Sequence, residues 1–261
     1  MVAHALDGYD DDAALSARQR LWEFQHPPFD LVNWVLHLCD VVSDHCVLDV
    51  GCGNGHYLSA LGRRGVAAVG CDQSLGMVRR AMPAAVVNAD VVALPFVSGA
   101  FDVVLAAHVL YHVDDRAAAV DEMRRVLAPG GVCVAVTNGR RHLLTLHTLI
   151  ERAVHPHSPE WTMRTPATRA FSLENGAAQL ALGFADVTLV RPSEHATVRL
   201  RDAAIAADYV ASLESFYRSE VACDWSGVVD TVRRDVAAVI ERDGVFVDRG
   251  DVGAFVGHAP R

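Results

Sequence analysis

The stretch Val47-Leu48-Asp49-Val50-Gly51-Cys52-Gly53-Asn54-Gly55 decides how the rest of the chain is read. A short apolar run, Cys46 to Val50, carries an acid near its end and passes straight into glycines at alternate positions. Glycine reaches positive φ at no steric cost and lets a ligand come up against the backbone. The residues behind it, Tyr57 to Arg63, read as a helix, and a helix start offers unpaired N–H groups to an anion. The spacing is G-x-G-x-G. The dinucleotide fingerprint G-x-G-x-x-G puts a glycine where this chain has His56. A pyrophosphate calls for that glycine and a close helix; a shorter carboxylate-bearing ligand does not. A glycine after a strand also serves as a plain turn, but this alternation at a strand–helix junction favours a ligand loop.

Outward from the loop, strands and helices alternate. Ala67 to Cys71, Ala85 to Asn88, Phe101 to Ala106 and Val132 to Thr137 read as further strands. Leu75 to Ala81 and Asp114 to Leu127 read as helices, and Pro129-Gly130-Gly131 as a turn. Strands apolar on both faces, separated by helices, mean a mostly parallel sheet covered on both sides. The expected fold is α/β, a doubly wound, seven-stranded, Rossmann-like sheet with helical lid additions. Two helical stretches, Ala13 to Phe24 and Phe29 to Leu38, precede it, separated by Pro27 and Pro28. After Asn138 come helices over Arg140 to Val154, Leu173 to Leu182, Arg201 to Tyr217 and Ser226 to Arg242, and strands over Ala185 to Val190 and Asp251 to Val256. The expected division is an N-terminal lid over 1–44, a cofactor-binding core over 45–139, and over 140–261 the rest of the core with acceptor-binding helices.

Composition narrows the function classes. The chain has 261 residues, 51% of them hydrophobic, enough for a full core and outside the range of disordered or collagen-like chains. The net charge of −9 repels a phosphate backbone, so nucleic acid is not expected as a partner. All 23 basic residues other than histidine are arginine, as GC-rich coding would give. No uncharged apolar run reaches the roughly 18 residues of a membrane span. The start is acidic, at Asp7, Asp10, Asp11 and Asp12, unlike a secretory signal. Six scattered cysteines without a C-x-x-C pair read as core residues in a reducing cytoplasm, with no structural metal.

Asp49 lies at the end of the first strand, Asp72 after the second and Asp90 after the third. Ligands of open α/β sheets bind at the carboxyl edge, where an acid about 20 residues past the loop commonly grips ribose hydroxyls. Three carboxylates along one rim suit an amine, a ribose diol and an adenine amino group, and suit a phosphate badly. Asp72 and Asp90 also fit as helix N-caps, and that alternative stays open here.

The blocks Val47–Gly55, Gly70-Cys71-Asp72-Gln73-Ser74 with Met77, Ala89-Asp90 before Leu94-Pro95-Phe96, Phe101-Asp102-Val103-Val104 before Val109-Leu110-Tyr111-His112, and Leu127-Ala128-Pro129-Gly130-Gly131 stand in a telling order. In that order they resemble the class I S-adenosylmethionine-dependent methyltransferases, specifically the small-molecule type 11 group. The resemblance covers Val47 to Thr137. It implies S-adenosyl-L-methionine as cofactor. The backbone of Gly51 and Gly53 would lie against the methionine part, with Asp49 ordering the loop and reaching the amino group. Asp72 would take the ribose hydroxyls, with Gln73 and Met77 flanking the adenosine. Asp90 and the Val91 backbone would take the adenine edge, and His108 would lie next to the transferring methyl. Asp102 and Pro129-Gly130-Gly131 read as structural.

Methyl transfer from a sulfonium is an in-line displacement, so positioning and exclusion of water supply much of the rate. His108 and His112, with Tyr111 between them, stand where an acceptor enters, and either histidine suits general-base work. They also fit hydrogen bonding to the cofactor, capping of the helix at Asp114, or a metal pair, although no third ligand stands at the usual spacing. Desolvation without any base is a further alternative. The helix after the fifth strand flanks the acceptor pocket in similar enzymes, so the resemblance makes His142 a candidate acceptor contact; a solvated face fits it equally well. Tyr9 and Arg18 are candidates to fold over the cofactor, Tyr9 through a cation–π contact.

The expected activity is methyl transfer to an O, N or C nucleophile of a small metabolite. GC-rich coding and the helical additions point by association to natural-product biosynthesis. The alternatives are an RNA or protein methyltransferase, a cyclase-like protein that binds the cofactor without consuming it, and an NAD(P) dehydrogenase. Self-association as a homodimer is left open.

Overall fold

The computed structural model describes residues 13–192 and 196–260. In chain order the elements are α1 (Ala13–Arg20), β1 (Gln25–His26), α2 (Leu31–Leu38), β2 (Cys46–Val50), α3 (His56–Arg63), β3 (Ala67–Asp72), α4 (Leu75–Ala81) and β4 (Val86–Asn88). Then follow β5 (Phe101–Ala107), α5 (Arg116–Val126), β6 (Leu127–Asn138), α6 (Leu144–Val154), α7 (Pro166–Arg169), α8 (Gly176–Leu180) and β7 (Ala185–Val190). The last are β8 (Thr197–Leu200), α9 (Ala203–Ala211), α10 (Glu214–Tyr217), α11 (Trp225–Asp243), β9 (Phe246–Arg249) and β10 (Val252–His258). Short 3₁₀ turns occupy Leu21–Phe24 and Leu110–His112.

Two compact units emerge. One holds residues 30–140, 166–192 and 252–260; the other holds 13–29, 141–165 and 196–251. These limits differ from the expected division. Residues 13–29 and 30–44 fall in different units, because α2 packs with the sheet: its Val35 and Leu36 share a buried cluster with Val47, Val103 and Val134.

The sheet unit has the seven-stranded, mostly parallel sheet that the alternation predicts, in the order β4-β3-β2-β5-β6-β10-β7. β4, β3, β2, β5 and β6 run parallel, and β10 is antiparallel to both its neighbours. Successive strand residues alternate between faces. Leu48, Val104, Ala106 and Ala135 enter one buried cluster, while Val47, Val103, Leu105 and Val136 enter another on the opposite side. The sheet reverses its winding between β2 and β5, and open α/β sheets leave a crevice beyond the strand ends at such a point. Asp102 is structural, as read: its Oδ2 accepts from the Cys46 N–H at 2.8 Å and ties the entries of β5 and β2.

Several boundaries differ from the sequence reading. Pro129-Gly130-Gly131 lies within β6. Asp115 rather than Asp114 caps α5, its side chain accepting from the Ala118 N–H at 3.0 Å. The helix expected over Arg201 to Tyr217 is split into α9 and α10. The other unit also contains a three-stranded sheet, β1-β8-β9, that the sequence reading missed. Its strands are short: β1 has 2 residues, β8 and β9 have 4 each. Nothing of period two could show over such lengths. This helical unit is held by its own apolar cluster, including Leu146, Ile150, Val210, Tyr217, Trp225 and Val232.

Candidate active site

The carboxyl ends of β2, β3, β4 and β5 carry Asp49, Asp72, Asp90 and His108, the polar side chains that sequence reading placed on the sheet's edge. Gly51 leaves β2 at φ +67°, and a Cβ built on it would lie 2.5 Å from Cγ2 of Val109, just beyond β5. The absence of a side chain therefore does two things: it permits the left-handed turn and lets two strand-end loops close together. Gly55, also left-handed, heads α3. Gly53 donates its N–H to Oδ2 of Asp72 at 2.9 Å, so the glycine loop is tied to the end of the neighbouring strand.

The acids differ in their surroundings. Asp49 is buried, and its Oδ2 has no hydrogen-bond partner among the described residues. Burial, with the charge of Asp72 adding to it, pushes its carboxyl up to about 8. Asp72 is half-buried and accepts from the N–H of Gly53 and, through Oδ1, of Ser74, both at 2.9 Å. Burial raises its carboxyl, and the bonds from Ser74 and Gly53 oppose the rise. Each oxygen retains lone-pair capacity for a further donor. Ser74 is the cap of α4, its Oγ accepting from the Met77 N–H at 3.3 Å, so Asp72 is not the helix cap. Asp90 heads no helix. Its Oδ1 accepts from the Val92 N–H at 3.1 Å and its Oδ2 from Nε2 of Gln73 at 3.3 Å. Gln73 is thereby brought to Asp90. Asn88, which sequence reading passed over, donates to the Asp72 and Gln73 carbonyls at 2.9 and 2.8 Å. An amide at a strand end beside two acids was the available signal.

Met77 is placed differently. Its side chain is 1% exposed in the apolar interior, so this conformation gives a ligand no access to it. The resemblance made it a flank of the adenosine, but a methionine at helical spacing is more often a core residue. Val91 is likewise buried, which leaves its backbone as the part able to meet a ligand.

His108 follows β5 at φ +57°, a left-handed conformation uncommon for a residue with a side chain. Its N–H donates to the Val136 carbonyl at 3.0 Å, which extends the pairing of β5 with β6 by one residue. Burial lowers its imidazole to about 4, so the ring is neutral at pH 7. Its ring lies 6.2 Å from that of Tyr111, which meets His112 edge-on at 4.5 Å. These three side chains are brought together. Among the described residues no group of three His, Cys, Asp or Glu side chains could hold a metal ion.

Tyr9 lies outside the described residues. Arg18 and His142 belong to the helical unit. Arg18 donates to the Ser212 carbonyl at 2.8 Å and stands 5.3 Å over the Phe216 ring. His142 accepts at Nδ1 from the Asp251 N–H at 3.2 Å and lies 5.0 Å from Trp22, ring to ring.

The matches to known proteins fall on the same strands. A family model described as a methyltransferase domain matches residues 48–135. The demethylmenaquinone methyltransferase of Roseiflexus castenholzii is 33% identical over 163 residues, which is 54% of this chain and 68% of that enzyme. The chain belongs to the type 11 family of class I S-adenosylmethionine-dependent methyltransferases. Another relative of this methyltransferase is the ubiquinone biosynthesis O-methyltransferase of Psychrobacter arcticus, 41% identical over 109 residues, or 36% of this chain. The methyltransferase spans 41% of that relative's length, and the same share of a relative in Encephalitozoon cuniculi. In fold it is similar to phosphoethanolamine N-methyltransferase 2 of Haemonchus contortus, solved with phosphomonomethylethanolamine and S-adenosylhomocysteine. The TM-score is 0.58 at 16% identity, covering 98% of this chain and 59% of that one.

Proposed function

We propose that the chain binds S-adenosylmethionine and transfers its methyl group to an O, N or C nucleophile of a small organic acceptor. The observation that carries this reading is the buried, unpartnered Oδ2 of Asp49 beside a glycine loop with no Cβ at Gly51. Leaving a buried carboxylate oxygen unpaired is costly, and a cationic donor removes the cost. The donor set fits the cofactor: Asp49 for the amino group, directly or through water; the Gly51 and Gly53 backbone for the amino-acid tail; Asp72 for the ribose hydroxyls. Gln73 would flank the adenosine, and Asp90 with the Val91 backbone would take the adenine edge. Three acids on one rim oppose a diphosphate, which disfavours a dinucleotide.

When bound, the sulfonium supplies a methyl group open to in-line attack. The protein's part is to orient the acceptor and exclude water. His108, neutral at pH 7, has a free imidazole lone pair for the proton of a hydroxyl acceptor, and Tyr111 and His112 line the same corner. Relatives named for quinone methylation support an aromatic or similarly apolar acceptor; for specialised metabolism the support is only the GC-rich coding and the helical additions. Six free cysteines support a reducing cytoplasm as the setting.

Calorimetry with S-adenosylhomocysteine and with NAD tests the cofactor, and labelled S-adenosylmethionine with candidate phenols and amines tests the transfer. Binding of the thioether alone, and label in product, are expected. Tight NAD binding without thioether binding overturns the reading. Thioether binding with no label in any product would leave a cofactor-bound protein that does not methylate.

A further inference from the structure

Asp90 and Val91 sit on residues 89–100, a segment with neither helix nor strand. Its first turn closes on itself: besides the bond from Val92 to the Asp90 side chain, Ala93 donates its N–H to the Asp90 carbonyl at 3.0 Å. A loop of this kind normally hands its backbone groups to water. Here α5 takes them. Oε2 of Glu122 accepts from the Leu94 N–H at 2.7 Å. Arg125 donates from Nη2 to the Leu94 carbonyl at 2.9 Å and from Nη1 to the Phe96 carbonyl at 2.7 Å. The Gly99 N–H reaches the Arg125 carbonyl at 3.0 Å. The two side chains lock each other, with Nε to Oε1 at 2.6 Å and Nη2 to Oε2 at 2.8 Å. The planar guanidinium fork suits this; an ammonium does not offer the same set of fixed donors. The bond from Arg125 holds the Glu122 carboxyl below its usual range. Leu94 and Val91 enter the same apolar cluster as Met123 and Val126, so the loop is fixed by packing as well as by polar contacts.

We propose that Glu122 and Arg125 are positioning residues that hold the Asp90–Val91 turn in the shape that selects adenine over other purine rings. The proposal rests on the cofactor reading above. A carboxylate placed to accept from a 6-amino group repels the 6-oxo group of hypoxanthine, but only while it is held in place. Neither Glu122 nor Arg125 touches the ligand; both act through the loop.

The test is titration of S-adenosylhomocysteine and S-inosylhomocysteine into the wild-type protein and the variants Arg125→Ala, Arg125→Lys and Glu122→Gln, with thermal melts on each. The wild type is expected to prefer the adenine ligand. Arg125→Ala should weaken adenine binding about tenfold and narrow the preference by a similar factor, as for one lost charge-assisted hydrogen bond. Arg125→Lys should fall between, because it keeps the charge and loses the fork. Should Arg125→Ala fail to melt cooperatively, Arg125→Lys and Glu122→Gln decide the matter. Equal weakening of both ligands, with the preference intact, overturns the proposal and leaves a purely structural clamp. A wild type that binds neither ligand removes the cofactor reading itself, and the proposal with it.

Discussion

Two buried aspartates, one in each unit, show how differently the same side chain is used. Asp248 in the helical unit is 5% exposed and accepts from the N–H groups of Thr145, Leu146 and Arg249 at 3.2, 2.6 and 2.8 Å. It satisfies the first turn of α6 from a distant strand, where the helix itself offers no capping side chain. Asp49 in the sheet unit is 1% exposed, and its Oδ2 has no partner among the described residues. A buried carboxylate that is fully bonded contributes to the fold; one left unbonded costs stability and is explained by what it will bind.

The largest expected effect is at Asp248. Asp248→Ala strands three N–H groups and should cost about 3 kcal/mol of stability. Denaturant titration followed by tryptophan fluorescence reads it, since Trp22, Trp161 and Trp225 lie in that unit. A loss near zero would erase the contrast between the two acids. Asp49→Asn should act in the opposite direction. Because the folded carboxyl is raised to about 8, the folded state keeps a proton that the unfolded state releases above its own pKa. Unliganded wild-type protein therefore loses stability as pH rises from the unfolded pKa towards 8. The asparagine variant should lack that slope and be more stable than wild type at pH 8, while binding S-adenosylhomocysteine more weakly. Midpoints measured at pH 5 and pH 8 check the sign.

Asp72 stands between these cases, bonded to the loop and still able to accept. Asp72→Ala should weaken S-adenosylhomocysteine about tenfold, roughly 1.4 kcal/mol, by calorimetry. Unchanged affinity would make Asp72 a loop strut only. The smallest effect on stability is expected at His108. Glycine relieves the left-handed backbone there but adds freedom to the unfolded chain, so His108→Gly should melt within about 0.5 kcal/mol of wild type. Its methyl transfer to a phenolic acceptor should nonetheless fall, and single-turnover rates would separate chemistry from folding.

The sheet unit was legible because its signals are local. Val47, Leu48, Val103 and Val104 are apolar in immediate succession, so both faces of the sheet are announced before any partner is known. The acids at the rim were legible as well, each placed by its own strand end. Their individual states were not. Nothing near Asp49 in sequence says that its oxygen goes unpaired while that of Asp72 is taken up by Gly53 and Ser74. The clamp of Glu122 and Arg125 on Leu94 joins residues 28 to 31 positions apart, beyond the reach of any local pattern. The helical unit hid most, because its small sheet joins β1 to β8, segments far apart in the chain and too short to show an alternation.

The placement of β10 has a consequence for the order of assembly on the ribosome. β6 and β7 are both bonded to β10 and not to each other, and some sixty residues separate β7 from the strand that joins them. While those residues emerge from the exit tunnel, two strand edges stand open to stray pairing. Helices α9 and α11 are synthesised within that interval and share a cluster that includes Val210 and Val232, so local burial is available to them before the last strand closes the gap. A nascent chain stalled at about residue 250 should therefore bind chaperones more strongly than one released with β10 in place.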